Sequence, residues 1–453
     1  MTFRWTCGAV IGFLVSAFSP FISCCRADWI PYTRASLEQI YDSNIFLEPE
    51  GESRHDSRSD FRTNISPTLG IRNETDSRTL SFDYTMTYSQ FYKNSDQSYL
   101  GHNAALDYEQ HLSERVLWFL RDTVALSEEP ESDTYDYTSI NYGRRRNLTN
   151  TGETGFEYHF GQENLFRVYY TDSRLIYLNK NGHRGHMGSG DLSSDDSVTY
   201  GPGMEIAYWI NRKNGISVNY TWERTDYEID YSEKRDHLDV GYQYRWSTHT
   251  ILRADFILDY VDTFDPLLFD FKVYQMTVGF MKVFNPAWEL DVYSGFYYRP
   301  SDDQPDYISS SDNTGYAGGI NVTYTQQHWH VTFSGEAGIR LEYGDYNNRG
   351  YTPYRSLGID FTYDFTERLH YYADLSYDYE KSPDTLGAVL AGENRRETYT
   401  ATTGIEYMLL SWLTGTMEYQ YNDESATQIS DEHPMGYNDH RFMIRLSATY
   451  DWL

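Results

Sequence analysis

The sequence predicts an all-β protein: a closed antiparallel transmembrane β-barrel of about 18–20 strands, with short turns at one end and longer loops at the other. Three observations predict it. From Ser59 to the C-terminus, apolar and polar residues alternate with period two in long runs, the period of a strand whose two faces meet different media. The links between runs are alternately short and long, so every hairpin places its tight turn on the same side. Aromatics are 17% of the chain, with 44 Tyr, yet the mean hydropathy is −0.66. That balance suits a wall that is apolar on one face only.

At the N-terminus, residues 1–27 read as a secretory signal peptide. Arg4 gives the positive start, Gly8 to Ile22 the apolar stretch, and Cys25-Arg26-Ala27 the small residues before cleavage. Cleavage there would remove Cys7, Cys24 and Cys25, all three cysteines of the chain, so disulfides are not expected to hold the mature fold. Lipoprotein processing at Cys24 is the competing reading, and the bulky Phe21 and Ile22 before it speak against that. Residues 28–58 are expected to hold an N-terminal segment and the first strand, over Ala35 to Leu47, and residues 59–453 the barrel. No later stretch of eighteen apolar residues occurs, which excludes helical spans.

The strands follow in order. In Arg78 to Tyr92, Leu80, Phe82, Tyr84, Met86 and Tyr88 share one face, and Ser81, Asp83, Thr85, Thr87 and Ser89 the other. Asp236 to Ser247 and His328 to Tyr343 repeat the design, as do Ile216 to Glu223, Leu357 to Phe365, Leu369 to Tyr379 and Phe442 to Trp452. Tyr135 to Gly161 has room for one strand or two. Links such as Asn73 to Ser77, Asn211 to Asn214 and Asn285-Pro286-Ala287 are turn chemistry. Glu129 to Arg146, Asn181 to Ser197 and Ser382 to Asn394 are the long links, and Gly387 to Ala391 is at most a helical turn within one of them. Soluble sandwiches and propellers use strands of about five or six residues, and these runs are roughly twice that. In hydrocarbon such a sheet must close on itself. Trp118, Trp209, Trp222, Trp246, Trp288, Trp329, Trp412 and Trp452 fall near strand ends, where headgroup-level aromatics belong.

Charge narrows the function. The chain has 67 acidic residues against 37 Lys and Arg, a net charge of −30, so nucleic acid is excluded as a partner. The polar face, inferred to be the lumen, carries Asp83, Glu223, Asp239, Asp255, Glu289, Asp291, Glu336, Asp360, Asp364, Asp374, Asp378 and Glu418. Asp107, Glu157, Glu205 and Asp259 join them, opposed by Arg121, Arg245, Arg253, Arg299, Arg340, Arg441 and Arg445. An acidic excess in a polar bore favours cations over anions. Inward Tyr293, Tyr297, Tyr372 and Trp209 would offer faces on which sugar rings could slide; the plainer reading is that they fill space.

Other chemistry is thinly represented. His328 and His330 flank Trp329 on one face but lack a third zinc ligand. His183 and His186 lie in a Gly-rich link, and Asp195-Asp196 and Asp302-Asp303 with Asp306 lack the spacing of a calcium loop. No Gly-x-Ser-x-Gly occurs, and Thr248-His249 has no recognisable nucleophile beside it. The expectation is therefore no enzyme, no cofactor and no metal.

Several segments resemble the outer-membrane family called beta-barrel porin 2. The resemblance starts at Ile40-Tyr41-Asp42-Ser43-Asn44-Ile45-Phe46 and runs through Phe61 to Gly70, Leu80 to Tyr92 and Ser98 to Ala104, ending at Arg144-Arg145-Arg146-Asn147. Arg445 to Leu453 is similar to the terminal signal read by barrel-assembly machinery, with Trp452 next to last and Leu453 at the end. The resemblance implies the outer membrane of a Gram-negative bacterium, contact with lipid and lipopolysaccharide, and association with exopolysaccharide export. The expected function is a porin-like barrel passing polar solutes or polysaccharide. A non-conducting scaffold barrel and an outer-membrane hydrolase are the alternatives.

Overall fold

The computed structural model describes residues 29–47, 58–128, 146–178, 196–228, 232–264, 270–300, 313–340, 352–382, 394–427 and 435–451. The signal segment, Gly387 to Ala391, His183, His186 and Asp302 to Asp306 lie outside them.

Twenty strands form one antiparallel sheet. The first ten are β1 (Trp29–Asp42), β2 (Asp60–Thr75), β3 (Arg78–Phe91), β4 (Tyr99–Ser113), β5 (Val116–Ser127), β6 (Asn147–Phe160), β7 (Asn164–Tyr177), β8 (Ser197–Trp209), β9 (Asn214–Tyr227) and β10 (Glu233–Ser247). The rest are β11 (Thr250–Thr263), β12 (Phe271–Asn285), β13 (Trp288–Arg299), β14 (Asn313–Thr325), β15 (Trp329–Arg340), β16 (Thr352–Thr366), β17 (Leu369–Ser382), β18 (Asn394–Leu410), β19 (Leu413–Thr427) and β20 (Met435–Asp451). Each pairs with its neighbours in chain order, and β1 pairs with β20 from Tyr32↔Asp451 to Asp42↔Arg441, which closes the cylinder. Closure satisfies every sheet edge, as a hydrocarbon solvent demands.

The first strand differs from expectation. It begins at Trp29 and ends at Asp42, so it belongs to the barrel wall but does not extend to Leu47. Its end is chemical: the Asp42 carboxylate accepts the Asn44 backbone N–H at 2.8 Å, an Asx turn that diverts the chain. Of the stretch from Tyr135 to Gly161, the described residues supply one strand, β6.

The short connections share a device. Asn285 Oδ1 accepts the backbone N–H groups of Ala287 and Trp288, Thr366 Oγ1 those of Arg368 and Leu369, and Asn211 Oδ1 those of Lys213 and Asn214. Each side chain satisfies the donors that the reversal frees. At Gly161 the β6–β7 turn takes φ +72°, open to glycine without steric cost.

Outward faces are apolar and mostly exposed, for example Leu69, Met86, Val278, Phe296, Leu375, Met417, Ile444 and Leu446. Toward the short turns the outward rings touch in series: Trp288–Tyr324 at 4.5 Å, Tyr324–Trp329 at 5.3 Å, Trp329–Phe361 at 6.4 Å and Phe361–Tyr371 at 5.9 Å. Trp118, Trp246 and Trp412 lie toward the same end. Trp222 lies toward the other end, against Tyr200. Trp209 breaks the pattern by facing inward, and Trp452 is outside the described residues.

Candidate functional site: the barrel interior

The interior is built by register. Because neighbouring strands pair residue for residue, inward positions form rows across the sheet, and each side chain meets those beside it in its row. The register puts the following on the inward face: Asp83 (β3), Glu223 (β9), Asp239 and Arg245 (β10), Arg253 and Asp255 (β11), Glu289 and Asp291 (β13), and Glu336 and Arg340 (β15). Asp360 and Asp364 (β16), Asp374 and Asp378 (β17), Glu418 (β19) and Arg445 (β20) share that face.

These groups sort into different surroundings. On β4–β7, Arg121 reaches Glu109 at 3.1 Å, Glu153 at 3.6 Å and Asp107 at 3.9 Å, and Arg167 bonds Glu153 and lies 3.6 Å from Glu157. Both guanidinium groups lie over the Phe119 ring. On β10–β13, Arg253 stands 3.1 Å from Asp291 and 3.8 Å from Asp255, and Asp259 accepts from Arg235 at 2.7 Å and contacts His237 at 2.8 Å. Arg340 bonds Glu380 and Asp378, and Arg396 holds Glu424 at 2.7 Å. At the closing strands, Arg445 meets Glu38 at 2.5 Å, and Arg441 meets Asp439 at 2.7 Å and Asp42 at 3.2 Å.

Several inward carboxylates stand apart from these lattices, Glu223, Asp239 and Glu289 among them, and two more face each other. Asp360 and Asp374 lie directly opposite each other on β16 and β17, and both are exposed to the interior. Like charges in directly opposed positions repel.

The inward aromatics are not free platforms. An ideal Cβ on Gly319 would lie within 2.9 Å of the Tyr293 ring, one on Gly315 within 2.4 Å of Tyr297, one on Gly404 within 2.8 Å of Tyr372, and one on Gly215 about 3.1 Å from Trp209. Each ring is laid flat on the wall, over the glycine beside it in the next strand. Two of these rings, and Tyr32 likewise, end on a carboxylate one strand further on. Tyr32 spans Gly70 to reach Asp83 at 2.5 Å, Tyr293 spans Gly319 to reach Glu336 at 2.8 Å, and Tyr372 spans Gly404 to reach Glu418 at 2.5 Å. Tyr293 and Tyr372 are thus tied to the wall by their hydroxyls, and Tyr297 and Trp209 lie over Gly315 and Gly215, as space-filling groups would. Glycine is required so that the ring can lie down.

The interior is also graded along its axis. Toward the long-loop end the inward residues are buried, among them Ile40, Asp60, Phe91, Val261, Val273, Tyr297, Thr352 and Asp439. Toward the middle and the short-turn end Asp360, Asp364, Asp374, Ser376 and Glu289 are exposed. Beyond Asp42, residues 43–47 leave the wall. Ser43 Oγ donates to Asp439 at 3.1 Å, Asn44 Nδ2 donates to the Asn438 carbonyl at 3.2 Å, and Ile45 and Phe46 pack on Phe91 and Tyr99. Leu47, at φ 52°, borders a cavity of about 830 Å³ whose other walls include Arg235, His237, Asp259, Tyr354, Glu380, Arg396 and Arg441.

At the short-turn mouth, Arg245 is stacked 3.5 Å over the Trp209 ring and bonds Glu163 in the β6–β7 turn. That bond holds the Glu163 carboxyl below its usual range. Among the described residues, no three His, Asp or Glu side chains come together to hold a metal ion. His330 instead bonds Thr325 and Thr332.

No family model matches the chain, and no curated protein matches it. Solved structures do. The FrpB iron transporter from Neisseria meningitidis (F5-1 variant) is similar over 95% of this chain and 84% of its own, at 8% identity and a TM-score of 0.55. The siderophore receptor PirA from Acinetobacter baumannii is similar over 92% and 80%, at 7% identity and a TM-score of 0.50. At such identities the likeness is one of fold: a large closed antiparallel barrel of the outer-membrane kind.

Proposed function

We propose that this chain, once residues 1–27 are removed, sits in the outer membrane of a Gram-negative bacterium and passes polar solutes through its interior, as a porin-like part of an exopolysaccharide export system. The carrying observation is the pair of exposed, directly opposed carboxylates Asp360 and Asp374 on a wall where Arg121, Arg167, Arg253 and Arg340 are taken up by other carboxylates. An acidic surface in a wet bore raises the local concentration of cations. The resemblance to the beta-barrel porin 2 family supports the link to polysaccharide export, with export components as partners. The role of β20 as the strand handed to the barrel-assembly machinery and the absence of catalysis belong to the same reading.

The experiment is single-channel recording of the purified barrel in planar bilayers, with reversal potentials in a salt gradient. Discrete conductance steps with cation preference are expected. A silent bilayer, with protein folded by its gel shift on heating, would end the channel reading. It would favour a non-conducting scaffold instead, a reading that the buried inward residues at the long-loop end support.

A further inference from the structure

The outer face should be apolar at every rung within the hydrocarbon, and on most strands it is. On β3 the outward rungs from the turn are Leu80, Phe82, Tyr84, Met86 and Tyr88. On β5 they are Trp118, Leu120, Asp122, Val124 and Leu126. The third rung, at the depth Tyr84 occupies on β3, is a carboxylate with apolar neighbours above and below. It is not alone. The row runs Leu106, Asp122, Gly152, Asp172 across β4 to β7, so two carboxylates flank a glycine notch. The next row adds Asn150 and Arg174. Asn150 Nδ2 donates to Asp122 at 2.6 Å, and Arg174 Nε reaches down to Asp172 at 2.8 Å. An ideal Cβ on Gly152 would meet nothing nearer than Asp122 Oδ1 at 3.4 Å, so the notch is open.

Charged groups facing lipid are costly, most of all near mid-depth, where Asp122 stands, and intramembrane charges pair with one another or with protein. Acyl chains offer no hydrogen-bond donor. We propose that the outer face of β5–β7 is a protein interface within the membrane and that its occupant is a second copy of this chain. Charge complementarity selects that partner. A two-fold axis along the membrane normal brings like depth to like depth. The Arg174 guanidinium, already at the level of Asp172, then meets the Asp122–Gly152–Asp172 row of the other copy, and the reciprocal contact forms at once. Each patch supplies both signs, so it complements itself.

The test uses the chain in intact outer membranes; its three native cysteines, Cys7, Cys24 and Cys25, fall within the segment removed, so an introduced thiol has no native one to pair with. Gly152→Cys places a thiol in the notch. Leu375→Cys places one on the outward face of β17, far around the barrel. With copper phenanthroline as oxidant, Gly152→Cys is expected to give a disulfide-linked band of twice the chain mass, and Leu375→Cys little or none. Equal yields from the two sites, or a Gly152→Cys adduct of another mass, would overturn the proposal. Arg174→Asp in the Gly152→Cys background is expected to cut the yield several-fold, and Asp122→Arg added to it to restore the yield. Heat-dependent gel mobility shows whether each variant is folded. Should oxidation at position 152 prove inefficient, mass photometry of the native barrel in polymer-excised membrane discs decides the same question: paired particles support the interface, single ones refute it. Neither readout depends on conductance.

Discussion

The inner faces of β4–β7 and of β16–β17 are both rich in carboxylates, and they behave as opposite kinds of surface. On β4–β7, Arg121 and Arg167 thread between Asp107, Glu109, Glu153 and Glu157, and the lattice is part-buried over Phe119. On β16–β17, Asp360 faces Asp374 in register and both meet open solvent. Composition is similar; register differs. The net charge of the chain is therefore not spread evenly around the bore. It is cancelled where an arginine falls in the neighbouring row and expressed where none does.

The largest expected effect follows from that contrast. Asp360→Lys with Asp374→Lys should lower the cation-to-anion permeability ratio several-fold, read as a shift in reversal potential. Asp291→Lys with Asp364→Lys should shift it less, because Arg253 stands 3.1 Å from Asp291 and His370 lies 2.5 Å from Asp364. Equal shifts would show that ion pairing in the wall does not decide which charges the permeating ion feels.

Stability should respond in the reverse order. Arg167→Ala leaves Glu153 and Glu157 without their nearest arginine in a part-buried place, at a cost of roughly 1–3 kcal/mol. Asp374→Asn removes a repulsion and should leave the barrel unchanged or slightly firmer, by less than about 1 kcal/mol. Thermal midpoints from gel mobility check both. A third variant probes the flat rings. Gly404→Val would drive a side chain into the Tyr372 ring, lifting it off the wall toward the bore. Overpacking of this kind costs about 1–3 kcal/mol, and the conductance should fall with it. Tyr372→Phe, which loses only the Glu418 hydrogen bond, should cost about 0.5–1.5 kcal/mol and leave conductance nearly unchanged.

Period two made the strands, the short-turn end and most of the inward face legible, because alternation is a local property of the chain. Register is not local. Tyr32, Gly70 and Asp83 form one row although dozens of residues separate them, so no window of sequence shows that the ring lies on the glycine. Arg167 is masked in the sequence because it sits between Leu165 and Tyr169, inward residues that look apolar. Arg396 sits in Asn394-Arg395-Arg396-Glu397, where both faces are polar and alternation is silent. Glu38 and Arg445 pair only because the ends of the chain meet. Tyr41-Asp42-Ser43-Asn44 alternates no differently from a strand; what ends β1 is the Asx turn at Asp42, a choice the alternation does not encode.

The smallest effect is expected at the short-turn mouth, where Arg245 bridges from Trp209 to Glu163. Glu163 belongs to a turn, and its bond to Arg245 holds the carboxyl below its ordinary range. A carboxyl whose folded value is lowered keeps its partner at all pH above the unfolded value, and loses it as pH falls through the folded one. The contact should therefore be intact from neutral pH down to about 4.3, the ordinary Glu value, and open only below it. Because Arg245 is stacked on the indole of Trp209, opening should change that ring's emission. Difference spectra between the native chain and Trp209→Phe isolate it. Glu163→Gln should give the opened spectrum at neutral pH and erase the acid transition. A Trp209 signal that titrates unchanged in Glu163→Gln would assign the transition to another group at the mouth, and the contrast between paired and unpaired carboxylates would then not extend to this end of the bore.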